Sequence, residues 1–282
     1  MKKFYKFAVL FNLFKINAMI CKKKIFIITL LIITSLGLRL SAQTKSPEPV
    51  SGFSLTKKIV QNHLVYPKNA LEQKKSGKIT VFYDVDKDGV ASNFRVEKSF
   101  DDECSAEAIR LVKMIEWNPA LKGGKPTEYN DYYDVDFSAK SYKKAEEKNP
   151  RVMLPEQNHP TQKSNKIYDL KELQHSPTPY FENPEVSLAA YFRTNLEYPD
   201  QAKQFEIQGT VKLNFIIETD GRASNIVVEN SVGGGCDNEA IRLIQNLIWI
   251  PGVKNDSLVR TRTSQEITFK IGERNYYDGN SY

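Results

Sequence analysis

The stretch Gly209–Asn225 reads GTVKLNFIIETDGRASN. Val211, Leu213, Phe215 and Ile217 alternate with Lys212, Asn214 and Glu218, the two-residue period of a half-buried strand. Asp220-Gly221 then predicts a hairpin, because glycine adopts the positive φ that such a turn needs. Ile226 and Val228 give the return strand an inward side. Upstream, Leu188, Tyr191, Phe192, Asn195 and Leu196 recur at helical spacing, and Pro199 stops or bends that helix. Downstream, Ala240, Ile241, Ile244, Leu247 and Ile248 predict a second helix ending at Trp249-Ile250-Pro251. A last strand turns Ile267, Phe269 and Ile271 inward and leaves Glu266, Thr268 and Lys270 outward.

The same unit occurs earlier in the chain. A shift of 132 residues lays Tyr66-Pro67 on Tyr198-Pro199, Asp88-Gly89 on Asp220-Gly221, and Ala91-Ser92-Asn93 on Ala223-Ser224-Asn225. Cys104 falls on Cys236, Glu107–Leu111 on Glu239–Leu243, Trp117 on Trp249 and Phe137 on Phe269. Between 66 and 137, 22 of 72 positions are identical without a gap, which makes this a duplication. The expected fold class is α+β: two copies of a small domain with two helices packed on a three-stranded antiparallel sheet. The copies are expected at 50–140 and 183–274, with a short tail at 275–282. Residues 141–182 lack a sustained apolar period and carry Pro150, Pro155, Pro160, Pro177 and Pro179, so they read as a flexible linker. The alternative within it is a docked segment at Ile167–Leu173, anchored by Tyr168 and Leu170.

The 282 residues carry a net charge of +6, but its location argues against nucleic acid. Residues 1–42 hold eight Lys or Arg and no Asp or Glu, and the other 240 residues hold 32 basic against 34 acidic side chains. A mildly acidic body has no electrostatic footprint for a phosphate backbone. The basic leader precedes the apolar run Ile25–Leu38 and then Ser41-Ala42, the layout of a secretory signal peptide. Fourteen helical residues rise about 21 Å, short of a roughly 30 Å hydrocarbon core. A short uncleaved membrane anchor is the alternative, and either way the body is expected to be exported.

Taken together, Tyr-Pro-x-x-Ala, Gly-x-Val-x-Leu-x-Phe, Asp-Gly-Arg, the Glu-Ala-Ile-Arg helix and Trp-x-Pro resemble the C-terminal domain of the TonB energy transducers, in both copies. The resemblance implies a domain that grips the TonB box, a short extended segment of outer-membrane receptors, by adding it as a strand to the last strand of the sheet. Carried onto this chain, that role falls on Arg260, Arg262, Ser264, Glu266, Thr268 and Lys270, and on Asp131, Asp134 and Asp136. The segments before each Tyr-Pro, represented by Asn195 and Tyr198 and by Tyr66, are implied as well. The contrast of acidic and basic side chains suggests edges that prefer different partners, or each other. The resemblance implies outer-membrane TonB-dependent receptors as partners, with self-association as a further option. The short apolar run and the missing Pro-rich spacer depart from a typical transducer. Two alternatives therefore stay open: a membrane-anchored energy transducer, and a periplasmic adaptor without a transport role.

No catalytic group, cofactor or metal is expected. Asp84, Asp86 and Asp88 imitate the start of a calcium loop, but its twelfth position is Arg95. Cys104 and Cys236 open their helices, where a thiol is either a reactive group or a buried plug. His63, His159 and His175 lack zinc spacing.

Overall fold

The computed structural model describes residues 44–148, 154, 159–162 and 164–271. The leader 1–42 and the tail 275–282 lie outside the described residues. Thr44–Lys45 and residues 121–127 form a small unit of their own, in which Thr44 pairs with Lys122 and Lys45 with Leu121. The rest of both copies lies in the larger unit.

Copy one runs α1 (Gly52–His63), α2 (Lys68–Glu72), β1 (Gly77–Val85), β2 (Ala91–Val96), α3 (Asp102–Met114), β3 (Tyr129–Phe137) and α4 (Ala139–Lys148). Its antiparallel sheet has the order β2-β1-β3, with Gly77 opposite Phe137 and Val85 opposite Tyr129. Two short strands follow, β4 (Ile167–Asp169) and β5 (Thr178–Tyr180). Copy two runs α5 (Leu188–Asn195), α6 (Asp200–Gln204), β6 (Gly209–Ile217), β7 (Ala223–Asn230), α7 (Cys236–Asn246), β8 (Ile248–Ile250), β9 (Gly252–Lys254) and β10 (Ser257–Phe269). Its sheet repeats the arrangement as β7-β6-β10, with Gly209 opposite Phe269, and β9 and β4 are added to β10. The fold is the α+β duplication that the sequence predicts; β4 is added only in copy two, and Ala120–Lys122, the copy-one counterpart of β9, is a strand that pairs with Thr44–Lys45 instead.

The alternating positions of the quoted stretch do form the core: Val211, Leu213, Phe215 and Ile217 are buried with Ile267 and Phe269 beneath Ala240, Leu243 and Ile244 of α7. Ile271 does not follow the pattern; it lies just past the end of β10 and is exposed. Cys104 and Cys236 are fully buried plugs at the first turns of α3 and α7, and burial pushes the Cys104 thiol up to about 12 and raises that of Cys236.

The repeated motifs have repeated physical jobs. In each copy Arg110 or Arg242 grips Glu107 or Glu239 with two 2.7 Å bonds, one turn apart on the helix. The Arg Nη2 also donates to the carbonyl of the last residue of α1 or α5, His63 at 2.8 Å or Asn195 at 2.6 Å. The Glu accepts the N–H two residues later, from Val65 or Glu197 at 2.7 Å. The clamp thus satisfies backbone groups that a helix end leaves without partners. Ala-Ser-Asn places Asn93 (φ 54°) and Asn225 (φ 48°) at a β-bulge, where the register skips between Phe82 and Asp84 and between Asn214 and Ile216. Asn tolerates the left-handed region better than most residues with a Cβ. Asp86 Oδ1 accepts the N–H groups of Asp88 and Val90, so the acidic run shapes its own turn.

The linker expectation is corrected for its second half. Pro179 of β5 lies opposite Trp249, as Pro49 lies opposite Trp117 in copy one. Thr178–Tyr180 is therefore the opening strand of copy two, which begins before residue 183. Ile167–Asp169 runs parallel to Arg260–Arg262, and Tyr168 is buried. The sequence signal for this was the apolar pair Ile167 and Tyr168 within a polar stretch.

Gly221 has φ 80°, and a Cβ there would lie 2.3 Å from the Trp249 carbonyl oxygen. Gly233 has the same φ with open space around it. Gly221→Ala is expected to cost about 3 kcal/mol and Gly233→Ala about 1 kcal/mol, since only the first adds a backbone collision to the φ penalty. Urea unfolding of the two variants measures the difference.

Candidate functional site

The last strand of each sheet was the expected partner edge, and the two differ in what remains open. In copy one, β1 flanks β3 on one side, and among the described residues no strand lies on the other. Tyr132 is exposed beside Phe82, with ring centroids 5.8 Å apart. Asp134 accepts from Thr80 at 2.7 Å and pairs with Lys78 at 3.0 Å; Asp136 pairs with Lys57 at 3.1 Å, and its carbonyl accepts from Gln61. Asp131 accepts the N–H of Tyr132. In copy two, β9 lies along Ser257–Val259 and β4 along Arg260–Arg262. Among the described residues no strand flanks β10 beyond β4, so Thr263–Phe269 keeps one open side. Ser264 and Glu266 are exposed there, the Thr268 hydroxyl meets Thr210 at 2.9 Å, and Lys270 is exposed just past the strand end.

Several expected contact residues are engaged within the chain instead. The Tyr66 hydroxyl donates to the Lys75 carbonyl and that of Tyr198 to Ile207, so both rings pin the loop after α2 or α6. The Asn195 side chain donates to Tyr191. Arg260 is buried and makes two 2.7 Å bonds to buried Glu218. Arg262 pairs with Glu116 of copy one at 2.6 Å. The expected basic face of copy two is therefore largely neutralised from inside.

These arginines belong to a contact between the copies, which the sequence reading missed. The Met114 carbonyl at the end of α3 accepts from Arg260 Nη2 at 2.7 Å and from Asn225 Nδ2 at 2.9 Å. Asn225 Oδ1 accepts the N–H of Glu116 at 2.8 Å. Beside them His63, 1% exposed, places Nδ1 at 2.8 Å from Asp220 and Nε2 at 3.2 Å from the Ala223 carbonyl. Both neighbours are acceptors, so the ring satisfies both only as the doubly protonated cation. Burial works to lower its pKa, but the Asp220 carboxylate and Glu218 outweigh burial and raise it above the usual value. Asp220 is held well below the usual carboxylate range: burial opposes this, and the charge and hydrogen bond of His63 outweigh burial. The signal available in the sequence was divergence: His63 aligns with Asn195, Glu116 with Ile248 and Arg260 with Glu128.

Among the described residues no group of three or more His, Cys, Asp or Glu is placed to hold a metal ion. What the edges offer is a row of backbone donors and acceptors. A family described as Gram-negative bacterial TonB protein C-terminal matches residues 62–138 and 194–271, more than half of the chain. The chain belongs to this TonB C-terminal family, and carries its domain twice. Solved structures similar to the chain include two NMR solution structures of the Helicobacter pylori TonB C-terminal domain. One shares 19% identity over 31% of this chain and 92% of its own, with a TM-score of 0.25. The other, a longer form, shares 18% over 30% and 79%, with a TM-score of 0.23. No curated protein matches the chain.

Two tests address the contact between the copies. Arg260→Ala strands a buried carboxylate and is expected to cost about 3 kcal/mol, whereas Arg262→Ala removes a half-exposed pair and costs less than about 1 kcal/mol. Urea denaturation separates them. The His63 pKa is raised, so its contribution is complete below about pH 6.5 and is lost as pH rises through the folded-state value. Stability should therefore fall with rising pH above about 6.5, and His63→Ala should remove that slope.

Proposed function

We propose that this chain is an envelope protein whose sheet edges bind extended segments of outer-membrane receptors within TonB-dependent transport. The observation that carries the reading is the side of β3 that no strand flanks among the described residues, in a member of the TonB C-terminal family. A strand edge offers main-chain hydrogen bonds to any extended peptide, and side chains at alternate positions select among peptides. Nine residues of β3 give space for a peptide of ordinary strand length. The exposed Tyr132 and half-buried Asp131 are the side chains best placed for selection, because Asp134 and Asp136 already have lysine partners.

The leader would deliver the chain to the periplasm, with Ile25–Leu38 either removed or kept as a short anchor. Among the described residues no helix is long and apolar enough to cross a membrane. A periplasmic adaptor is the second reading, favoured by the contact between the copies, which makes this chain's domains a structural pair.

Titration with a synthetic TonB-box peptide separates the readings. The receptor-binding reading expects saturable binding that a scrambled peptide does not reproduce, with slowed amide exchange in Asp131–Phe137. Absence of binding, with the chain folded, leaves the adaptor. Asp131→Lys is expected to change affinity for peptides of opposite charge in opposite directions, by about threefold to tenfold.

A further inference from the structure

Copy two already carries an extended segment on its partner edge, and that segment comes from the chain itself. Ile167, Tyr168 and Asp169 run parallel to Arg260, Thr261 and Arg262, and Leu170–Glu172 continues as a helical turn against the same strand. Only one side chain of the strand is buried. Tyr168 lies between the ammonium groups of Lys166 and Lys254, each 4.6 Å from its ring, and its hydroxyl accepts from Gln162 at 3.1 Å. Glu172 then meets Lys254 at 3.2 Å. Copy one has no counterpart: the aligned residues Glu128–Asn130 have no strand added to them among the described residues.

We propose that Ile167–Asp169 is an exchangeable strand that occupies the Arg260–Arg262 part of the copy-two edge in place of an external peptide, whereas the copy-one edge has no strand added along its outer side among the described residues. This rests on the sheet-edge reading above. The segment is suited to exchange rather than to permanent structure. Its own register is three residues against the nine that join β10 to β6, and Tyr168 is its one buried side chain. The chain on either side is held separately, by the Gln162 N–H on the Leu258 carbonyl at 2.9 Å and the Gln174 N–H on the Val253 carbonyl at 2.8 Å, so the strand can open between fixed ends. Elements with so few buried contacts open locally at low cost. The tether gives the segment an effective concentration on the order of millimolar, so a free peptide displaces it only by binding better. The slot also defines the competitor: an extended segment, added parallel, with an aromatic residue to lie against Lys254 and an acidic residue after it. Asn165 ties exchange to the joint between the copies, since its carbonyl accepts from Arg260 at 3.1 Å.

The test uses the full chain and a fluorescent peptide of residues 164–172, SNKIYDLKE. Tyr168→Pro and the milder Tyr168→Ser should each bind this peptide at least about tenfold more tightly than the unsubstituted chain, because its own strand no longer competes. Equal binding to all three chains, or none by variants that keep their circular dichroism, overturns exchange. Amide exchange on the unsubstituted chain is independent of variant folding: Ile167–Asp169 should exchange at least about a hundredfold faster than Val211–Phe215, and equal protection overturns the proposal. A TonB-box peptide in parallel keeps the two readings apart. If the self peptide behaves as expected and the TonB-box peptide binds no chain, exchange stands and the receptor reading falls. If the TonB-box peptide binds and the self peptide does not, exchange alone falls.

Discussion

A helix that ends inside a protein leaves carbonyl groups pointing onward with no turn to receive them, and here the end of α3 meets that requirement with the other copy of the repeat. The Met114 carbonyl takes a guanidinium N–H from Arg260 and an amide N–H from Asn225. A cation at a helix C-terminus also opposes the partial negative charge collected there. Arg260 is fixed by Glu218, and the Asn225 side chain by the left-handed bulge that carries it. The two domains are thus joined through groups that each domain had to satisfy in any case.

The duplication explains why so much of the core was legible. Alternation at Val211–Ile217, the glycine at 221 and the Glu-Arg spacing at 239 and 242 are local signals, and each occurs twice. What makes the joint is not local. Asn225 and Met114 are 111 residues apart, and neither residue type announces the other. Their trace lies in the differences between copies, where a polar or charged residue in one aligns with an unrelated residue in the other. The edge residues were legible as a strand but not as contacts: no periodicity distinguishes an outward arginine from one that turns back to a buried glutamate.

That distinction changes the electrostatic reading of the edges. Arg260 is consumed by Glu218, Arg262 by Glu116, Asp134 by Lys78 and Asp136 by Lys57. The opposed charges of the two strands are therefore balanced mostly within the chain. The edges contrast instead in access: β3 has one side without a strand among the described residues, whereas the first half of β10 is covered by β9 and β4.

The joint uses unlike surfaces, the helix ends of copy one and the hairpin and bulge of copy two. An interface of that kind propagates when the units are identical, as each unit would present one surface forward and the other behind. Here the two copies have diverged at positions that make the joint. The forward position of copy two holds Asn195 in place of His63 and Ile248 in place of Glu116, and Ile248 is already paired with Tyr180. The rear position of copy one holds Glu128 where Arg260 would be needed. The side chains that make this joint are therefore not all repeated at the aligned positions of the other copy.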